Sequence, residues 1–229
     1  MREKLIFFRG LLERNKIFFE VLVASTLTFM GVYVSIQANT IATNQTKIME
    51  QENTPKIEIR QTQLYNDSTK IYDITKWLVF NHNSKISNFD IEKEISYLNL
   101  IKRGSYLEIN LPLRSYLNLG GTLTGESEGL IFDFDNRYTG YNEYLTRQKI
   151  WNYGHIQPIS FVELSYENVL EKKEKRYYQI TPRIREINKT SWDSLITDWS
   201  NKSQNAIYID SNIDENIERI KTSAKKISQ

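Results

Sequence analysis

From Ile17 to Ile36 the chain reads IFFEVLVASTLTFMGVYVSI, twenty residues whose single charge, Glu20, lies one turn inside the edge. At 1.5 Å per residue a helix of that length matches a hydrocarbon core roughly 30 Å thick. Ser25, Thr26, Thr28 and Ser35 can bond back to the helix's own carbonyls, so they do not oppose insertion. A helix buried in a globular core normally keeps a polar face, and this segment has none. The pattern predicts a transmembrane helix over 17–36. Near an end, Glu20 can reach the headgroups or take a proton, and we read it as an edge residue; the alternative is a functional intramembrane carboxylate. The alternative for the segment as a whole is a cleaved leader with Thr40-Ile41-Ala42 as a loose cleavage site, against which the run is too long and lacks a clear small-x-small end.

Downstream, Gln37 to Glu52 contains no Gly or Pro, so the helix is expected to run on into water as a stalk over 37–54. Val34, Ala38, Ile41, Gln45 and Ile48 recur at spacings of 4, 3, 4 and 3, a heptad seam. Such a stripe serves either self-association or packing on the protein's own sheet. Thr54-Pro55 stops the helix, because a residue before proline is pushed out of the α region.

Beyond Pro55 the period changes to two. Ile57 and Ile59 share a face, and Asn66-Asp67-Ser68 supplies a turn. Further strands are predicted at Ile71 to Asn81, Phe89 to Ile101, Tyr106 to Leu117, Leu130 to Phe134, Ile159 to Tyr166 and Arg176 to Ile187. The turns between them are Asn81-His82-Asn83-Ser84, Arg103-Gly104, Gly120-Gly121 and Glu171 to Lys175. Strands in succession without intervening helices point to an antiparallel sandwich or barrel over 55–188. A helical extension over 189–229 follows: Thr190 is the expected cap of a helix with Trp192, Leu195, Ile196 and Trp199 on one face. After a strand-like Ala206 to Ile209, Asp210 or Ser211 is expected to open a last helix carrying Ile213, Ile217 and Ile220. This pair is expected to cover one end or edge of the sandwich, or to form a partner-binding amphipathic tail.

Charge changes the picture in two places. Residues 1–36 hold five basic and three acidic side chains, leaving 25 of each for the rest of the 30 basic and 28 acidic residues. A neutral domain lacks the cationic surplus that phosphate backbones require, so nucleic acid is not an expected partner. Arg2, Lys4, Arg9, Arg14 and Lys16 precede the span, and only Lys47 and Lys56 follow within twenty residues. The positive-inside rule then makes 1–16 a cytoplasmic basic tail and places the domain outside the cell membrane. Leu5, Ile6, Phe8, Leu11 and Leu12 in that tail have the spacing of an interfacial helix.

Candidate chemistry is sparse. The chain has no cysteine and two histidines, His82 and His155, which excludes disulfides, thiolate metal sites and cysteine nucleophiles. Gly125-Glu126-Ser127-Glu128-Gly129 fits the nucleophile-elbow pattern, making a membrane-tethered serine hydrolase the catalytic alternative. Strand-like residues follow where that elbow needs a helix, and His155 is the sole later histidine. Asp133-Phe134-Asp135-Asn136 offers hard oxygens for Ca²⁺, but Tyr138 stands where an EF-hand needs glycine, and alternation puts Phe132 and Phe134 inside with Asp133 and Asp135 in water. Tyr138, Tyr141, Tyr144, Trp151 and Tyr153 form an aromatic cluster that fits a sandwich core and its edges better than a ligand surface. No catalytic residue, metal ligand or cofactor is expected, and the sequence does not fix the binding residues.

The stretch from Trp77 to Ile91 (WLVFNHNSKISNFDI) resembles the strand, Asn-turn, strand hairpin of bacterial Ig-like adhesion-type domains, with Asn83 where that family usually has glycine. Anchor, polar helix, proline and sandwich in this order also resemble a loose set of single-span bacterial membrane proteins. The resemblance covers about fifteen residues of hairpin and the layout of the first sixty. It implies an Ig-like sandwich and no active site, and the richness in Asn, Ile, Lys and Tyr is that of an AT-rich bacterial or phage genome. The function expected is a membrane-anchored, non-catalytic binding or sensing module with the bilayer and an unidentified protein or small ligand as partners. The other non-catalytic expectation is a subunit that oligomerises through its span and stalk.

Overall fold

The computed structural model describes residues 6–7, 9–10, 13–104, 108–121 and 128–227. It divides into two units, Met1–Glu52 and Asn53–Gln229. In the first, helix α1 (Lys16–Glu52) runs for 37 residues, about 55 Å at 1.5 Å per residue. It contains the apolar run and the stalk without a break, and none of its residues is buried. It is long and apolar enough to cross a membrane. Thr26, Thr28, Ser35, Thr40, Thr43 and Thr46 each donate to the carbonyl four residues back, at 2.8–2.9 Å, so these hydroxyls need no outside partner. Of the expected interfacial tail, Leu5, Phe8, Leu11 and Leu12 lie outside the described residues.

The second unit is mainly β. Its strands are β1 (Lys56–Asn66), β2 (Ile71–His82), β3 (Ser87–Lys102), β4 (Glu108–Arg114), β5 (Gly129–Asp135), β6 (Gly154–Glu167), β7 (Lys173–Gln179), β8 (Arg185–Ile187) and β9 (Ile207–Tyr208). They form a three-stranded sheet, β1-β2-β5, and a six-stranded sheet, β8-β7-β6-β3-β4-β9. All pairings are antiparallel except β4 with β9, so the large sheet is mixed where an antiparallel one was expected. The two sheets share one core: Ile59, Trp77, Val79 and Phe134 from the small sheet pack with Leu98, Leu100, Leu111, Val162 and Tyr178 from the large one. Trp77, fully buried, stacks on Phe134 with centroids 5.4 Å apart and donates Nε1–H to the Ile180 carbonyl at 3.3 Å.

Helices α2 (Gly140–Ile150), α3 (Lys189–Lys202) and α4 (Ile213–Ile227) complete the unit. The expectation of strands without intervening helices is corrected by α2, which lies between β5 and β6. Its place is set by buried polar groups. Asn136 Oδ1 accepts from Thr75 N at 2.7 Å, Thr139 Oγ1 donates to Tyr116 O at 2.7 Å, and Tyr116 OH donates to Glu143 Oε2 at 2.7 Å. Gly140 passes so close to the Asp73 carbonyl that a Cβ there would collide with it. Burial and the neighbouring Glu143 carboxylate hold the Tyr116 hydroxyl protonated well above its ordinary range.

Helix α3 covers the outer face of the large sheet, not an end or edge as expected. Its Trp192 stacks on Tyr177 at 5.3 Å within a second cluster that includes Ile95, Tyr97 and Phe161, with Leu195, Ile196 and Trp199 packed against it. With both faces of the sheet covered, β3 is buried without interruption from Ile95 to Leu100. The helix caps also differ from expectation. Asn188, not Thr190, accepts from Ser191 N at 2.8 Å, and Asn212, not Asp210 or Ser211, accepts from Asp214 N at 2.9 Å ahead of α4. The expected strand Arg176 to Ile187 is two strands, β7 and β8, separated by Ile180 to Ile184. At the β2–β3 turn, Asn83 has φ +87° and donates Nδ2–H to Thr54 O at 3.2 Å, occupying the left-handed conformation that glycine favours.

Candidate functional site

The residues singled out in the sequence fall in different places. Ser127, with Gly125 and Glu126, lies outside the described residues, so the geometry gives the hydrolase reading no support. Asp133 and Asp135 are both engaged by cations: Asp133 by Lys76 Nζ at 2.5 Å and Asp135 by Arg137 Nη2 at 2.5 Å. Asp135 is buried, not in water as alternation implied, because the Asn118–Asp135 bridge and Arg137 enclose it. Phe134 is buried and Phe132 packs against the same core, as expected. Among the described residues no three His, Cys, Asp or Glu side chains come together as metal ligands. His82 lies on the exposed side of β2, with Nε2 2.9 Å from Glu58 Oε2, and is remote in register from His155, which pairs with Ile101.

The aromatic cluster is corrected most. Tyr138 and Trp151 are 71% and 60% exposed, Tyr141 and Tyr144 are also exposed, and only Tyr153 packs on the core. The helix period explains the outcome. Thr146 and Ile150 lie on the buried face of α2, which leaves Tyr141, Tyr144 and Gln148 on the opposite side, with Trp151 at the exposed C-cap.

Trp151 borders a cleft of about 440 Å³ that it shares with Ile101, Lys102, Arg103, Gly104, Gly154 and His155. The β3–β6 register builds this cleft by setting Ile101 opposite His155 and Lys102 opposite Gly154, and Arg103 N donates to Tyr153 O at 3.0 Å. Gly154 is required because a Cβ there would stand 2.6 Å from the Ile101 carbonyl oxygen. Lys102 Nζ lies 6.0 Å from the centroid of the Tyr153 ring. Among the described residues the lining holds two fixed cations, an imidazole, an indole and an exposed isoleucine, with no carboxylate or hydroxyl. Such a surface can attract an anion and offer a flat apolar platform beside it. Among the described residues it has no hydroxyl or thiol nucleophile and no carboxylate to pair with the imidazole.

No protein-family model matches the sequence, and no curated protein is detectably similar to it.

Proposed function

We propose that this protein is a bitopic membrane protein whose two-sheet domain is a non-catalytic binding module, with the Trp151–Arg103 cleft as its binding site. The observation that carries the reading is α1, a 37-residue helix with no buried residue, joined in sequence to a domain that completes its own core. In water an apolar stretch like 17–36 leaves its side chains unpartnered, whereas lipid takes them up at no such cost. On the support of the basic residues before the span, we read the N-terminus as cytoplasmic and the domain as outside. We read the domain as an Ig-like sandwich in type, on the support of two mostly antiparallel sheets closing on a buried tryptophan, and the cell as bacterial or phage-infected.

The ligand class is an anion carrying a flat or apolar face, matched to Arg103 and Lys102 beside Trp151. Membrane fractionation with alkaline carbonate tests the anchor, and protease treatment of intact cells tests the side. The full-length chain is expected in the pellet, with its domain degraded from outside. Recovery of unprocessed chain in the supernatant would end the proposal, and a protected domain would reverse its orientation.

A further inference from the structure

We infer that α1 forms a parallel two-stranded coiled coil with a second copy of this chain, through one face that runs continuously from the apolar half of the helix into the polar half. The polar half identifies the face. Between Gln37 and Gln51 the apolar residues are Ala38, Ile41, Ala42, Ile48 and Met49. With Ala38 at heptad position a and Ile41 at d, all five fall at a, d or e. Every residue at b, c, f and g is polar: Gln37, Asn39, Thr40, Thr43, Asn44, Thr46, Lys47, Glu50 and Gln51. Ile41, Ile48 and Met49 are 56%, 54% and 61% exposed, so nothing within the helix's own unit covers this stripe.

Continuity identifies the occupant. The same two positions run back in phase as far as Ala24, with Ala24 and Gly31 at a and Leu27 and Val34 at d, and the next d position, Glu20, ends the seam. A strict repeat of seven is 3.5 residues per turn, the period of helices that wrap around one another. A straight α-helix on a flat surface keeps 3.6, and its contact stripe drifts about 20° per heptad. The partner is therefore another helix running alongside α1 over most of its length. Two copies inserted in the same orientation bring identical layers together. Ala24, Gly31 and Ala38 permit close approach, while Leu27, Val34, Ile41 and Ile48 fill the layers between. Gln45, the polar a residue, meets its own counterpart, and the two amides can bond to each other and so fix register. The flanking e and g positions, Gln37, Ala42, Asn44, Met49 and Gln51, carry no charge, so no like-charge repulsion opposes the pairing.

This inference rests on the membrane reading only for its parallel direction, and the test separates the two. Because the chain has no cysteine, each single-cysteine variant reports one position alone. Seam variants Ala38→Cys, Ile41→Cys, Gln45→Cys and Ile48→Cys are compared with Asn39→Cys, Thr43→Cys, Thr46→Cys and Lys47→Cys, full-length, under mild oxidation in membranes. The parent residues all lie on a helix with nothing buried, so folding is not at stake. Disulfide-linked dimers are expected several-fold more abundantly at the four seam positions than at the other four. A flat profile, no dimer at all, or seam-specific adducts to a different protein overturns the inference. Pellet recovery is measured on the same samples: a flat profile in chains retained in the pellet defeats the coiled coil alone, and a seam-phased profile in chains found in the supernatant defeats the anchor alone.

Discussion

Helix α1 and strand β3 are both rich in apolar residues and meet opposite fates. From Ile95 to Leu100 every residue of β3 is buried, between the small sheet on one side and α3 on the other. Over the whole of α1 no residue is buried. The apolar side chains of β3 are stabilised by the protein itself, at roughly 25 cal/mol per Å² removed from water. Those of α1 find no such cover within their own unit; on our proposals they gain it from lipid along 17–36 and from a second helix along the seam. Apolar content alone does not distinguish the two; period and coverage do.

The largest expected effect comes from breaking the interior. Trp77→Ala removes a fully buried ring and should lower the unfolding free energy of the domain by about 3–5 kcal/mol, read by urea denaturation in mild detergent. Leu27→Ala, likewise cut back to the β-carbon, should leave that denaturation curve within about 0.5 kcal/mol, because Leu27 is not buried. An equal loss in both variants would erase the contrast.

A smaller effect tests what the interior costs. Burial pushes the Glu94 carboxyl up to about 7, even though Ser96 Oγ donates to Oε1 at 2.6 Å and Leu117 N donates to it at 3.2 Å. Between the ordinary carboxylate value of 4.5 and about 7 the folded state holds a proton that the unfolded state has released. Stability therefore falls as pH rises across that window. Glu94→Gln should flatten the slope and stabilise the domain at pH 8 relative to the wild type by on the order of 1–3 kcal/mol, measured by denaturation on both sides of the window. A slope unchanged in the variant would refute the assignment to Glu94.

Smaller again is the expected effect at the cleft. Arg103→Ala should weaken retention of the detergent-solubilised chain on immobilised heparin, an anionic polysaccharide, by several-fold, with urea stability unchanged within about 0.5 kcal/mol. Trp151→Ala should do the same without altering net charge, and retention that follows charge alone would remove the indole from the site. The smallest effect belongs to the surface. Lys173 and Lys175 hold the Glu92 carboxyl down to about 2, so the stability it contributes is present above 4.5 and lost as pH falls through about 2. Being an exposed network, it should change stability by at most about 1 kcal/mol in Glu92→Gln at neutral pH.

Much of this architecture is legible in the chain. The bounds of β2, β3 and β5 lie within a few residues of the alternating runs that predict them, Phe134 and Trp192 are buried, and Leu195, Ile196 and Trp199 pack beside Trp192 as the helical period implies. Helix α2 escapes a reading based on aromatic content, although Glu143 in its first turn and Arg147 and Lys149 in its last follow the helix dipole. Tyr141, Tyr144 and Trp151 outweigh that signal, because aromatic residues in such number read as the core and edges of a sandwich. Burial of Asp135 depends on Asn118 and Arg137 closing around it, which no local pattern encodes. For the cleft, Trp151 and His155 stand out by residue type while Arg103 reads only as a turn. What joins them is the pairing of residues about fifty positions apart across β3 and β6, and that register is set by the whole sheet.

The two-residue strand β9 is joined to β4 by the pairs Leu113 with Ile207 and Arg114 with Tyr208, reinforced by Arg114 Nη1 donating to Tyr208 OH at 3.0 Å. In the order in which a ribosome or translocon delivers the chain, β4 therefore emerges well before the segment that pairs with its C-terminal end. Until β9 emerges, that flank is an open ladder of amides available to any passing strand, so the nascent domain is more prone to misassembly before β9 is made than after it.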